Sequence, residues 1–194
     1  HLATHGFALD GNLVQDSALV FPSAQRSQPS LLRLRDLLAT WGGRLQGTEL
    51  VTLSACETAS GQRARGEGMI ALTWGFLHAG ARTVVATRWG IDDRAAALTM
   101  PRFYENLLGR FAEPRSVGSR TYARGEPMAK PEALHEAMRW LRGLDVGAAN
   151  GLIGAEGDSS TSRGLVLGRK SPPSSRGERF PDADWSAFLL IGDG

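Results

Sequence analysis

Leu50-Val51-Thr52-Leu53-Ser54-Ala55-Cys56-Glu57-Thr58 is the stretch that decides how this chain is read. Residues 50–54 are rich in β-formers, too few for a helix, and bounded by Gly47 and by the turn-prone Ser60-Gly61, so they are predicted to form a buried parallel strand. Cys56 follows just past its carboxyl end. A Gly- and Arg-containing loop, 61–66, leads to a helix over 67–77 with an acidic first turn, closed by Gly80, and then to a second strand over 82–89.

The same alternation extends outward. The opening His1-Leu2-Ala3-Thr4-His5-Gly6 reads as the tail of a strand, and 17–21 as an edge strand or small hairpin. Leu31, Leu34, Leu37, Leu38 and Trp41 recur at helical spacing, with Ser30 as a cap and Gly42-Gly43 as the stop. Downstream, Asp92-Asp93 precedes a helix over 94 to about 108, which Pro101 is expected to kink or restart. Residues 112–130 read as loop, and Pro131 opens a helix that turns Met138 and Leu141 inward. From 143 to 182 the chain is rich in Gly, Ser, Pro and Arg with little periodicity, which predicts a flexible insertion; a final strand over 185–191 closes it. Strands alternating with helices imply an α/β fold, a mostly parallel sheet flanked by helices and joined by right-handed crossovers.

Composition narrows the classes. With 194 residues, 42% apolar and 22% charged, the expectation is a single domain over 1–194, N-terminally truncated because the first residues already lie inside an element. A formal net charge of +2 and 7% aromatics suggest neither a nucleic-acid groove nor a disordered acidic tail, so no nucleic-acid partner is expected. No stretch approaches the roughly 20 apolar residues of a bilayer span, and no membrane association is expected. One cysteine cannot close an intramolecular disulfide, which leaves Cys56 as either a buried small hydrophobe or a reactive thiol.

The chemistry gathers at two strand ends. His5 and Cys56 each sit at the carboxyl end of an apolar strand, the edge of a parallel sheet where ligands collect. The segment between them carries a helix, as a crossover between neighbouring parallel strands requires. A thiolate is a nucleophile, and an adjacent imidazole accepts its proton and returns one to a leaving amine. The oxyanion so formed needs N–H donors, which the backbone of Gly6 and the Cys56 amide are placed to supply. Alone, a cysteine after a strand is more often a buried hydrophobe and a lone histidine a structural residue; it is the pairing that favours chemistry.

Ala3-Thr4-His5-Gly6, the run Leu53 to Gly61, Gly66-Glu67-Gly68, Ala79-Gly80-Ala81-Arg82, Trp89-Gly90-Ile91-Asp92-Asp93, Phe103-Tyr104 and Trp185 to Asp193 together resemble the CHAT domain. That family consists of caspase-like cysteine peptidases related to separases and often joined to tetratricopeptide repeats. The resemblance spans 1 to about 142 and about 184 to 193. It implies a caspase-like sheet, lacking its first strands here, with His5 and Cys56 as a catalytic dyad and the Gly6 and Cys56 amides as the oxyanion hole. The dyad is 51 positions apart, close to the spacing of about 50 in caspases. Glu57, Trp89, Asp92 and Asp93 become substrate-contact candidates, the two aspartates favouring a basic residue at the cleavage site. For Asp93 a helix N-cap role weighs more heavily, and for Glu57 a turn role.

Other features carry less. Gly66-Glu67-Gly68 lacks the third Gly and the Lys-Ser/Thr of a phosphate loop. His78 and His135 read as structural and solvated, and no metal-ligand spacing appears, so neither metal nor cofactor is expected. Arg63 and Arg65, after the nucleophile, fit either a loop ordered on activation or a solvated one. The expected function is that of a cysteine endopeptidase acting on a protein or peptide substrate, regulated by attached domains such as a helical-repeat sensor in the parent chain, and cytoplasmic. The competing expectation is a non-catalytic CHAT-like interaction module.

Overall fold

The computed structural model describes residues 1–9, 11–23, 29–57, 67–156, 177 and 179–193, with 55–57 and 154–156 described by their backbone. In chain order the first elements are β1 (Leu2–Phe7), a short 3-10 helix (Gly11–Asp16), β2 (Ala18–Phe21), β3 (Ser30–Arg33), α1 (Leu34–Thr40), β4 (Val51–Glu57), α2 (Glu67–His78) and β5 (Thr83–Thr87). They are followed by α3 (Asp93–Leu108), β6 (Arg115–Val117), β7 (Arg120–Tyr122), α4 (Lys130–Gly143), α5 (Val146–Glu156), α6 (Asp182–Trp185) and β8 (Phe188–Gly192). These gather into two compact units, residues 1–91 with 187–194, and residues 92–186.

The first unit is a six-stranded sheet in the order β3-β2-β1-β4-β5-β8 with α1 and α2 packed on it. Its centre, β1-β4-β5, is parallel, while β2, β3 and β8 join antiparallel, so the α/β fold holds a parallel core within a mixed sheet. Strand β1 is interior: the β2–β3 hairpin covers the side that the sequence leaves open as an edge. Leu19, Leu37, Leu53, Leu72, Phe76 and Val84 are buried together between sheet and helices, each removal from water contributing roughly 1.5–3 kcal/mol.

Some boundaries differ from the sequence reading. The leucine series beginning at Leu31 is not one helix: residues 30–33 pair with β2, and the helix starts at Leu34, whose N–H donates to the Ser17 carbonyl at 2.9 Å. Asp36 then accepts the Arg33 N–H at 3.0 Å, closing the first turn. Likewise Trp185 lies in α6 and not in the last strand, because Asp182 accepts its indole N–H at 3.0 Å and the Ser186 N–H at 3.1 Å. The strand itself ends at Gly192, whose φ of 111° suits glycine and whose missing Cβ would stand 2.1 Å from the Arg82 carbonyl.

The second unit is helical, with one small hairpin. Helix α3 runs unbroken across the exposed Pro101 and does not restart there. Residues 115–122, read as loop, form the β6–β7 hairpin, anchored by a fully buried Tyr122 whose hydroxyl donates to Glu132. Within 143–182, residues 146–156 are helical: Asp145 accepts the Ala148 N–H at 3.0 Å, and Val146 and Ala149 are buried. Residues 157–176 and 178 of that segment lie outside the described residues.

A buried polar network ties this unit together. Glu136 receives Arg102 in a bidentate pair and the Asn106 amide at 2.7 Å; Asn106 in turn accepts from Arg115 at 2.6 Å, and Arg115 reaches Glu105 at 2.6 Å. Glu136→Ala leaves Arg102 and Asn106 without this acceptor. It is expected to lower stability by about 3 kcal/mol, with Glu136→Gln losing less, as read from thermal unfolding.

Candidate functional site

Strands β1 and β4 run parallel with His5 opposite Cys56 and Gly6 opposite Glu57. Adjacent strands lie about 4.8 Å apart, so the two dyad candidates share a neighbouring pair of backbone positions near the carboxyl ends of both strands. The strands reach further than the sequence reading placed them: β4 continues to Glu57 and β1 to Phe7, so Cys56 and His5 sit within the ladder rather than past it. Alternation along β1 sends Leu2 toward the α1/α2 core and leaves His5 exposed on the opposite face. Gly6 is buried. Arg63 and Arg65, in the segment after Cys56, lie outside the described residues.

The exit of β1 is clamped to the start of α2. Ser17 Oγ accepts the Leu9 N–H at 2.9 Å and donates back to the Leu9 carbonyl at 3.2 Å. Glu67 accepts the Gly11 N–H at 3.3 Å. Gly68 permits this approach, since a Cβ there would stand 2.5 Å from Ser17 Oγ and 2.7 Å from the Leu9 nitrogen. The Gly-Glu-Gly signal noticed in the sequence thus has a positioning role, seating the turn that follows His5 and Gly6.

Just past the end of β5, Trp89 is half-buried beneath the Arg88 guanidinium, whose carbon lies 4.9 Å from the ring centroid. The Arg88 N–H donates to the Ala187 carbonyl at 2.9 Å. Arg88 carried no signal in the sequence reading, where an arginine beside a strand end looks like any solvated cation.

In the second unit the helix cap falls one residue before the position favoured from sequence. Asp92, extended at φ −60° and ψ 131°, accepts the Arg94 N–H at 2.8 Å, while Asp93 is the exposed first residue of α3. Asp92 is also gripped by the Arg94 side chain, Nε at 3.0 Å and a terminal nitrogen at 2.8 Å, and its own N–H donates to Asp184 at 3.1 Å. A carboxylate so engaged is a structural cap first. His78 is exposed on the last turn of α2, and His135 is exposed on α4 beside the buried Glu136. Among the described residues no three His, Cys, Asp or Glu side chains gather as metal ligands would.

The CHAT domain family model matches residues 1–193, and the chain belongs to that family. Tetratricopeptide repeat protein 28 of Mus musculus is 33% identical over 118 residues, which is 59% of this chain and 5% of that protein. The chain therefore spans a small fraction of this relative's length. No solved structure matches it. Among the described residues no helix is long and apolar enough to cross a membrane.

Two measurements test the framework of the site. Gly68→Ala forces the start of α2 away from the Leu9–Ser17 turn and is expected to cost about 1–3 kcal/mol in thermal unfolding. Burial raises the Asp184 carboxyl above its ordinary value, the nearby Asp92 charge adding to this while the Asp92 N–H and Arg94 oppose it. An acid raised in the folded state binds more protons there, so its stabilising contribution is greatest in acid and is lost as pH rises through its folded value. Asp184→Asn keeps an oxygen for the Asp92 N–H and cannot ionise. The melting temperature of this variant relative to the parent is expected to rise between about pH 4 and neutrality.

Proposed function

We propose that this CHAT domain is a cysteine endopeptidase that cleaves a peptide bond through a His5–Cys56 dyad. The observation that supports this most directly is the parallel register that sets His5 opposite Cys56. CHAT domains are peptidase-related modules, and a histidine one strand away from a cysteine is the arrangement in which an imidazole serves a thiol. In the reaction, His5 takes the Cys56 thiol proton as the sulfur attacks the substrate carbonyl carbon. The carbonyl π electrons move to oxygen, and that oxyanion is met by backbone N–H groups.

Of the two donors assigned to it, the Cys56 amide stands one residue from the end of β4, while Gly6 is buried between β2 and β4. As the carbonyl reforms, the C–N bond breaks and imidazolium His5 protonates the departing amine, leaving a thioester. His5 then takes a proton from water, whose oxygen attacks the thioester carbon and releases the acid, and the thiol is regenerated. Glu57, Trp89 and Asp93 remain candidates for substrate contact in this reading, with Asp92 held back by its pairing to Arg94. The named relative carries tetratricopeptide repeats, which supports a helical-repeat sensor elsewhere in the parent chain as the regulator of the site.

Cys56 is the only cysteine among these 194 residues, so within the domain Cys56→Ala removes the one thiol. In the protein that carries this domain, a peptidyl acyloxymethyl ketone is expected to label the domain, Cys56→Ala to abolish labelling, and His5→Ala to slow it by about 10²–10⁴-fold. Labelling of Cys56→Ala at the parent rate overturns the assignment. Unchanged labelling in His5→Ala favours the interaction module, in which the thiol behaves as any accessible cysteine.

A further inference from the structure

We infer that Val20 and Leu31 form an apolar subsite beside His5, and that it selects substrates with an aliphatic or aromatic side chain among the first three residues after the bond cut. The inference rests on the reading of His5 and Cys56 as a dyad. Three registers carry it: His5 lies opposite Cys56 on β4 and opposite Val20 on β2, and Val20 lies opposite Leu31 on β3. Cys56, His5, Val20 and Leu31 are therefore one row of backbone positions across four neighbouring strands. The face is fixed independently. Leu2, Leu19, Phe21 and Leu32 pack with the helix-covered core, so the residues that alternate with them, His5, Val20 and Leu31, project together from the other side. On that side His5 is exposed, and Val20 and Leu31 are half-buried.

Proton transfer decides which part of the substrate meets this row. The departing amine takes its proton from His5, so it leaves within hydrogen-bond reach of the imidazole, on the β1 side of Cys56, and carries the segment after the cut bond toward β2 and β3. Neighbouring strands lie about 4.8 Å apart and an extended chain advances roughly 3.3 Å per residue, so Val20, two strands from Cys56, falls beneath the second or third residue of that segment. What the segment meets there is apolar. On this face of β1, β2 and β3, Ala3, Phe7, Ala18, Val20 and Leu31 surround His5, and Arg33, one strand and two residues from Val20, carries the one full charge. An aliphatic or aromatic side chain gains by leaving water for such a surface. A basic one loses hydration, with no carboxylate on these strands' described residues of this face to receive it.

The test offers the protein that carries this domain a library of amine-blocked peptides from a whole-proteome digest and identifies the new amino termini by mass spectrometry. Leu, Ile, Val, Met or Phe is expected to be enriched at one of the first three residues after the cut. A peptide with Leu at that position is expected to be cut about 10–100-fold faster, by kcat/KM, than its Ser counterpart. Val20→Ala and Leu31→Ala are each expected to narrow that ratio, a comparison within one preparation that does not depend on how much of it is folded. Leu31→Gln, on the edge strand, serves where truncation unfolds the sheet. Cleavage without apolar enrichment at these positions, or with acidic residues enriched there, overturns the inference and leaves the peptidase reading standing. A Leu-to-Ser ratio unchanged in both Val20→Ala and Leu31→Ala overturns it as well. Cleavage of no library member overturns both readings together.

Discussion

The pairing of β1 with β4 is the constraint on which the rest of the site depends. These strands are 43 residues apart in sequence between Phe7 and Val51, counting the residues in between, and the chain returns through a hairpin and a helix before they meet. Strand register has a period of two, so a slip of one residue would turn His5 toward the helices and Leu2 toward water. The alternation of Leu2 with His5 thus fixes the site and the core by the same interaction. The contacts of Ser17, Glu67 and Gly68 hold the outgoing end of β1, where a slip would begin.

Charge is distributed in keeping with this. In the helical unit the strongest ionic groups face one another, as with Arg102 and Glu136 or Arg94 and Asp92, and their cost of desolvation is met by bidentate geometry and further hydrogen bonds. At the ends of β1 and β5 the exposed groups include instead the His5 imidazole and the Arg88 guanidinium stacked on Trp89. The first arrangement stabilises one packing.

How far the sequence foretold this depends on how singular each local signal was. β4, β5 and α2 were legible because β-branched runs bounded by glycines, and an acidic helix start, admit one reading. The leucines from Leu31 to Leu38 were not, since their spacing serves a helix while the first of them pair with β2; only a distant partner decides. The β6–β7 hairpin hides in polar three-residue strands whose anchor, Tyr122, is buried by contacts that sequence does not display. Helix α5 contains Gly147, Gly151 and Gly154, poor helix formers, and is started by the Asp145 carboxylate. At the site, His5 and Cys56 stood out as chemistry beside strand ends. Asp92 and Asp93 could not be told apart without backbone angles.

The last strand gives the chain an order of assembly. β8 fills the position beside β5, yet the whole of residues 92–186 is made before it. During synthesis the outer rim of β5, whose five residues are all buried in the finished fold, stays unpaired while an entire helical unit emerges from the ribosome. An open strand rim of this kind is where nascent chains stick to one another, so a chain stopped short of Phe188 keeps an unpaired edge.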